Sequence, residues 1–129
     1  EGKNQIPVTP FEAAEAVDSG PIYKQVTLQF SGLELIDELR HAVMRATIDL
    51  CRSFVREYPG VITTGIPQLG EPTFYARRRP KDSVIDVDKP IREQFNLLRT
   101  VDNEHYPAWF EFKGRRFTLW IERLDKTCT

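Results

Sequence analysis

Residues 31–58 read SGLELIDELRHAVMRATIDLCRSFVREY, and the fold turns on them. Leu35/Ile36, Leu39, Val43, Ala46/Thr47, Leu50 and Phe54 recur every three or four positions. That spacing lays one apolar stripe along an α-helix. Ser31 and Glu34 stand in the S-x-x-E capping-box relation, and Phe30 and Leu35 can close a hydrophobic staple. Tyr58-Pro59-Gly60 ends the pattern, because proline cannot continue a helix.

Upstream of the helix, Ile22–Phe30 alternates. Val26, Leu28 and Phe30 face one way, and Tyr23, Gln25, Thr27 and Gln29 the other. That is a strand with one buried face. Residues 1–21 hold Pro7, Pro10 and Pro21 and read as an extended arm. Thr9-Pro10-Phe11-Glu12 predicts a short helix over Phe11–Val17 that lays Phe11 and Val17 on the domain; the alternative is a mobile arm that orders on a partner.

Downstream, Val61–Thr64, Thr73–Arg78 and Val84–Val87 read as short strands, the last two on either side of Arg77-Arg78-Arg79-Pro80-Lys81. Asp88 and Pro90 open a short helix with Ile91, Phe95 and Leu98 on one face. Ala108–Leu124 predicts a hairpin. A turn at Lys113-Gly114 sets Phe110 opposite Phe117 and Glu111 opposite Arg116; lysine is not the best first residue for that turn, so a four-residue loop in another register is the alternative, and a slip by one residue would swap the faces. With the turn at Lys113-Gly114, Phe110, Phe112, Phe117, Leu119 and Ile121 share one side. Trp109, Glu111, Arg116, Thr118 and Trp120 share the other. The expectation is α+β: one antiparallel sheet on a long amphipathic helix, a short second helix, an arm (1–21) and a single domain (22–129).

With 129 residues, 40% hydrophobic and 29% charged, the chain can build one ordinary core. The net charge of −1 supplies no global field toward nucleic acid or anionic membrane. No apolar run approaches the ~20 residues that span a bilayer, and Glu1-Gly2-Lys3-Asn4 does not read as a signal peptide. Two cysteines without a framework fit a reducing, intracellular setting. Cys51 falls on or near the buried stripe, where it would be inert, and Cys128 is a tail thiol.

Four features could carry function. The first is the arginine turn. Arg77, Arg78, Arg79 and Lys81 can grip an anion or nucleic acid, with Tyr75 or Phe74 stacking on a base. The plainer reading is a solvated turn neutralised by Asp82, Asp86 and Asp88. The second is the pair Trp109 and Trp120, diagonal neighbours on one hairpin face, either covered internally or offered to a partner. The third is Arg45, Arg52 and Arg56 on the helix, a basic stripe or a solvated face. The fourth is Asp102-Asn103-Glu104-His105. It has too few ligands for a metal site and reads as a polar loop. His41, the other histidine, has no matched nucleophile. No phosphate loop, nucleophile elbow, dinucleotide fingerprint or zinc spacing occurs, and no cofactor is expected.

The order of arm, strand, long helix and meandering strands over 20–124 resembles that of rhabdovirus matrix proteins, in element order alone. The resemblance implies a structural protein of a virus or mobile element. Taken together, the expectation is a non-enzymatic module that binds a protein partner or itself through the arginine turn, the tryptophan face and Phe11 in the arm. The alternatives are a nucleic-acid binder and a small carboxylate/histidine enzyme.

Overall fold

A computed structural model describes residues 2–16, 18–71 and 73–124. Val17, the last residue of the predicted short helix, and the tail with Cys128 lie outside them. The elements run β1 (Gln5–Val8), β2 (Val26–Gln29), α1 (Ile36–Glu57), a 3₁₀ turn (Gly60–Thr64), another (Pro80–Ser83), α2 (Ile91–Leu98), β3 (Ala108–Phe112) and β4 (Arg115–Leu119). The class is α+β. The strands form two antiparallel pairs, β1–β2 and β3–β4, instead of the single sheet expected.

The chain divides into two compact units. One holds Ser31–Glu38 and Tyr75 onward with Glu1–Gly2; the other holds Lys3–Phe30 and Leu39–Phe74.

The first unit is built around its hairpin. Phe110 pairs with Phe117 and Glu111 with Arg116, the register expected. Lys113 and Gly114 both take positive φ, 49° and 73°. A two-residue turn of that hand matches the twist of its strands. Ala108, Ile85, Leu98 and Val101 form the core, with Leu97, Phe110, Leu119 and Ile121 packed on it. Burying a side chain such as Leu98 contributes about 2 kcal/mol. The helix α2 begins at Ile91 as its apolar spacing requires. Its N-cap is Pro90, however, and no side chain caps it. Asp86 takes the Asp88 N–H instead, closing a turn ahead of the helix.

The start of α1 is also displaced. The Ser31–Glu34 relation forms: the Glu34 carboxylate accepts from the Ser31 N–H at 2.8 Å and the Gly32 N–H at 3.0 Å. It closes a turn before the helix, because Gly32 sits at φ 92° and breaks helical continuity. The first turn of α1 is met by Glu38, which accepts from the Leu35 N–H at 2.8 Å. These donors hold the Glu34 carboxyl down at about 2, with the Ser31 N–H the largest cause.

In the second unit, β1 pairs with β2 from Gln5↔Gln29 to Val8↔Val26. Val26 and Leu28 are half-buried and Thr27 and Gln29 exposed, as the alternation predicts. Leu39, Leu50 and Ser53 are the buried positions of α1, and Val61 is buried beside them in sequence.

Three predicted strands do not form. Val61–Thr64 lies in a 3₁₀ turn, where Thr63 and Thr64 hydroxyls bond back to the Gly60 and Val61 carbonyls. Residues 73–78 pair with nothing regular, and Val84 makes only an isolated bridge to Trp109. Short β-branched runs become strands only where a neighbour completes the ladder. No helix forms among the described residues of 11–16. Phe11 bridges Ile22 instead, and Glu12 accepts from the Tyr23 hydroxyl, which removes the carboxylate from its cap.

Candidate functional site

Each unit carries one constructed feature. In the second unit it is the turn at Asp18-Ser19-Gly20-Pro21. Asp18 sits at φ 53°, in the left-handed region. Aspartate enters that region more readily than most residues with a Cβ, and surrounding bonds hold it there. The Gln68 amide donates to the Asp18 and Gly20 carbonyls, each at 2.8 Å. The Ser19 hydroxyl donates to the Ala16 carbonyl at 2.8 Å. The Glu12 N–H reaches the Pro21 carbonyl at 3.0 Å, and Ile22 and Ile66 exchange backbone bonds at 2.7 and 2.9 Å. Glycine is required at 20, because a Cβ there would lie 1.9 Å from the Glu12 carbonyl oxygen. The result is a fixed turn with the Asp18 residue exposed. Strained residues held by their surroundings cluster at functional sites.

Beside this turn in sequence, Lys24 donates to the Ser53 hydroxyl at 2.7 Å and to Glu57 at 3.2 Å. The Ser53 hydroxyl, with Lys24 after it, holds the Glu57 carboxyl below its ordinary value. The Glu12 carboxylate raises the Tyr23 phenol. The Tyr23 ring also meets Phe54 edge-on at 5.3 Å. These contacts tie the segment after the turn to α1.

In the first unit the feature is a cleft of about 380 Å³ lined by Pro80, His105, Tyr106, Trp109, Arg116 and Phe117, among others. Trp109 is its fixed wall. The indole N–H donates to the Pro80 carbonyl at 2.8 Å, and the Arg116 guanidinium lies 5.0 Å from the ring centroid. The Ile85 N–H donates to the Trp109 carbonyl at 2.7 Å. Two features that are separate in sequence, the arginine turn and the hairpin, are thus joined at Trp109. His105 stands at the rim, its Nδ1 3.2 Å from Asp102.

The sequence-derived candidates divide. Arg78 is half-buried: it donates to the Thr100 carbonyl at 2.8 Å and to the buried Ser83 hydroxyl at 3.2 Å. It braces the turn and is not offered to a ligand. Arg77, Arg79, Lys81 and Tyr75 are exposed. Asp82 accepts from the Arg79 backbone N–H at 2.8 Å, shaping the turn. Trp109 is half-buried and Trp120 is 60% exposed. Trp109 carries the Arg116 guanidinium over its ring, Arg116 standing diagonal to it across the hairpin. Arg45, Arg52 and Arg56 are exposed on α1, with Arg52 3.9 Å from Asp49. Phe11 is exposed too. Cys51 is exposed, not buried as its place near the stripe implied; at 100° per residue it lies well round the helix from Leu39, Leu50 and Ser53, the buried positions. Asp102 spends its carboxylate on the Glu104 and His105 N–H groups. No group of three metal-ligating side chains occurs among the described residues, and no described helix is long and apolar enough to cross a membrane.

The Asp18 turn escaped sequence reasoning. Asp-Ser-Gly-Pro is strong turn chemistry, but the residues that strain and clamp it, Glu12 and Gln68, lie six and fifty positions away.

No family model matches the sequence. Among solved structures, the chain is similar to methionyl-tRNA formyltransferase from Clostridium thermocellum, with a TM-score of 0.72 and 19% identity. The match covers 98% of this chain and 54% of that one, so the chain spans about half the length of the transferase. At this identity the likeness concerns the fold.

Proposed function

We propose that this chain is part of an enzyme that moves a formyl group onto an amine, with Asp18 as its proton acceptor. The observation that carries the reading is the likeness, over almost the whole chain, to a formyltransferase. The Asp18 turn supports it independently, as a carboxylate displayed from a strained, clamped backbone. The chemistry needs such a group. The amine nitrogen attacks the formyl carbon of an N-formyl donor and forms the new C–N bond. A proton leaves that nitrogen for the Asp18 carboxylate. The tetrahedral intermediate then collapses, the donor C–N bond breaks, and the proton passes to the departing donor nitrogen. A positioned base of this kind contributes about 10²–10⁴-fold.

The test is transfer of labelled formyl, by the natural polypeptide that carries this segment, to a panel of aminoacyl-tRNA, amino acids and amino sugars. Asp18→Asn should lower the rate at least about 100-fold with far-UV circular dichroism unchanged. No label in any acceptor overturns the reading. Full activity in D18N removes Asp18 from the role.

A second reading is a binding module, favoured by the exposure of Arg77, Arg79, Lys81 and Tyr75 around the turn that Arg78 braces. These groups would hold an anion or a nucleic acid, and Trp120 a protein partner. For nucleic acid, log K must fall steeply as salt rises; a flat response sinks it.

A further inference from the structure

Gln68 reaches the Asp18 turn through the backbone pairing beside it. Ile22 and Ile66 exchange N–H bonds at 2.7 and 2.9 Å, an antiparallel bridge. Carried outward along both segments, that register sets Gly20 opposite Gln68. The bridge is isolated, however. Pro21 and Pro67 stand next to it, and neither has an N–H with which to extend a ladder. The Gln68 side chain makes the next bonds instead.

Its amide nitrogen carries two protons and donates to the Asp18 and Gly20 carbonyls, each at 2.8 Å. The Asp18 carbonyl belongs to the peptide unit that leaves Asp18, so the first bond fixes the backbone plane on one side of its Cα. With φ at 53° on the other side, the direction of the Cα–Cβ bond is set. Only the side-chain torsions then separate that fixed bond from the carboxylate oxygens. The second bond anchors the far end of the turn, where the Glu12 N–H also holds the Pro21 carbonyl at 3.0 Å. Gln68 itself is exposed, so removing its amide empties no core. The base of the turn rests on main-chain bonds of Ile22 and Ile66 that do not involve the Gln68 side chain.

We propose that Gln68 is a positioning residue, whose amide aims the Asp18 carboxylate at the amine nitrogen that gives up its proton. The proposal rests on the formyl-transfer reading and adds to it a residue that acts through Asp18 and not on the substrates. It adds no bond and no proton to the reaction. Misplacing a reacting group by about 1 Å can cost on the order of 100-fold in rate, and the loss should fall on the chemical step.

The test uses the natural polypeptide that carries this segment, with whichever acceptor takes labelled formyl. Gln68→Met keeps the length of the side chain and removes both donors. It should lower kcat at least about tenfold and leave KM for donor and acceptor within about threefold. Gln68→Met added to Asp18→Asn should be no slower than Asp18→Asn alone, because nothing is left to aim. Amide exchange at Ile22 and Ile66 should be unchanged in Gln68→Met, which separates aim from folding. Four results overturn the proposal and leave Asp18 in its role: full rate in Q68M, a loss carried by KM, a double variant slowed by the product of the single effects, or lost protection at Ile22 and Ile66. No label in any acceptor, or full activity in D18N, removes the reading beneath it and this proposal with it.

Discussion

Replacing Gly20 by alanine tests the Asp18 turn most directly. The added Cβ would meet the Glu12 carbonyl oxygen at 1.9 Å. An ordinary contact needs over 3 Å, so the two backbones must part by more than 1 Å. Both partners are main chain, and neither can swing aside as a side chain would. Forced overpacking of this kind costs about 1–3 kcal/mol. The same movement breaks the Glu12–Pro21 bond at 3.0 Å and the Gln68–Gly20 bond at 2.8 Å. Each contributes about 1 kcal/mol. The sum is about 3–5 kcal/mol, a large share of a small domain's stability. Gly60→Ala is the control, because a Cβ there meets nothing within 4 Å. It should be neutral or slightly stabilising, since alanine restricts the unfolded chain. The assay is amide exchange at Ile22, Tyr23 and Ile66, whose N–H groups bond across the turn's base. Gly20→Ala should collapse their protection by at least about 100-fold, and Gly60→Ala should leave it intact. Equal protection in the two variants refutes the account of the turn.

Three further outcomes are expected. Trp109→Phe removes the indole donor from the Pro80 carbonyl and should lower the thermal midpoint by about 1 kcal/mol equivalent, with Trp120→Phe nearly silent. Lys113→Asn should stabilise the hairpin by roughly 0.5 kcal/mol, because asparagine tolerates φ 49° better than lysine; a loss in thermal midpoint would count against the turn geometry. Glu34 supplies a pH dependence. Its folded pKa is depressed to about 2 from 4.5, so its stabilisation is complete above 4.5 and is lost as pH falls toward 2. Glu34→Gln should flatten that limb of an acid titration. It should also destabilise at neutral pH, since buried Arg99 has the Glu34 carboxylate 3.9 Å away. An unchanged acid limb in the variant would show that another carboxylate sets it.

What could be read in the sequence was whatever local periodicity determines. The β3–β4 register followed from alternation on both sides of Lys113-Gly114, and the body of α1 from its three-and-four spacing. The start of α1 was misplaced because Ser31–Glu34 and Leu35–Glu38 are consecutive pairs of the same i, i+3 spacing, and only Gly32's positive φ decides between them. The strands expected at 61–64 and 73–78 failed for want of partners, which no local window can reveal. Of the site, Trp109 was visible but its clamp was not, since Pro80 lies 29 residues away. Arg78 read like its neighbours, and only the buried Ser83 beneath it separates a brace from a ligand-binding cation. Asp18 was passed over because clamping by Gln68 is a tertiary event.

Both indoles belong to one unit, the first, while most of α1 belongs to the other. Tryptophan emission, excited apart from tyrosine, therefore comes from the hairpin half. Trp109, beneath a guanidinium, and Trp120, largely in water, should give a shorter and a longer wavelength component, respectively. A denaturation curve followed by that light alone has no probe seated in the half that holds Asp18.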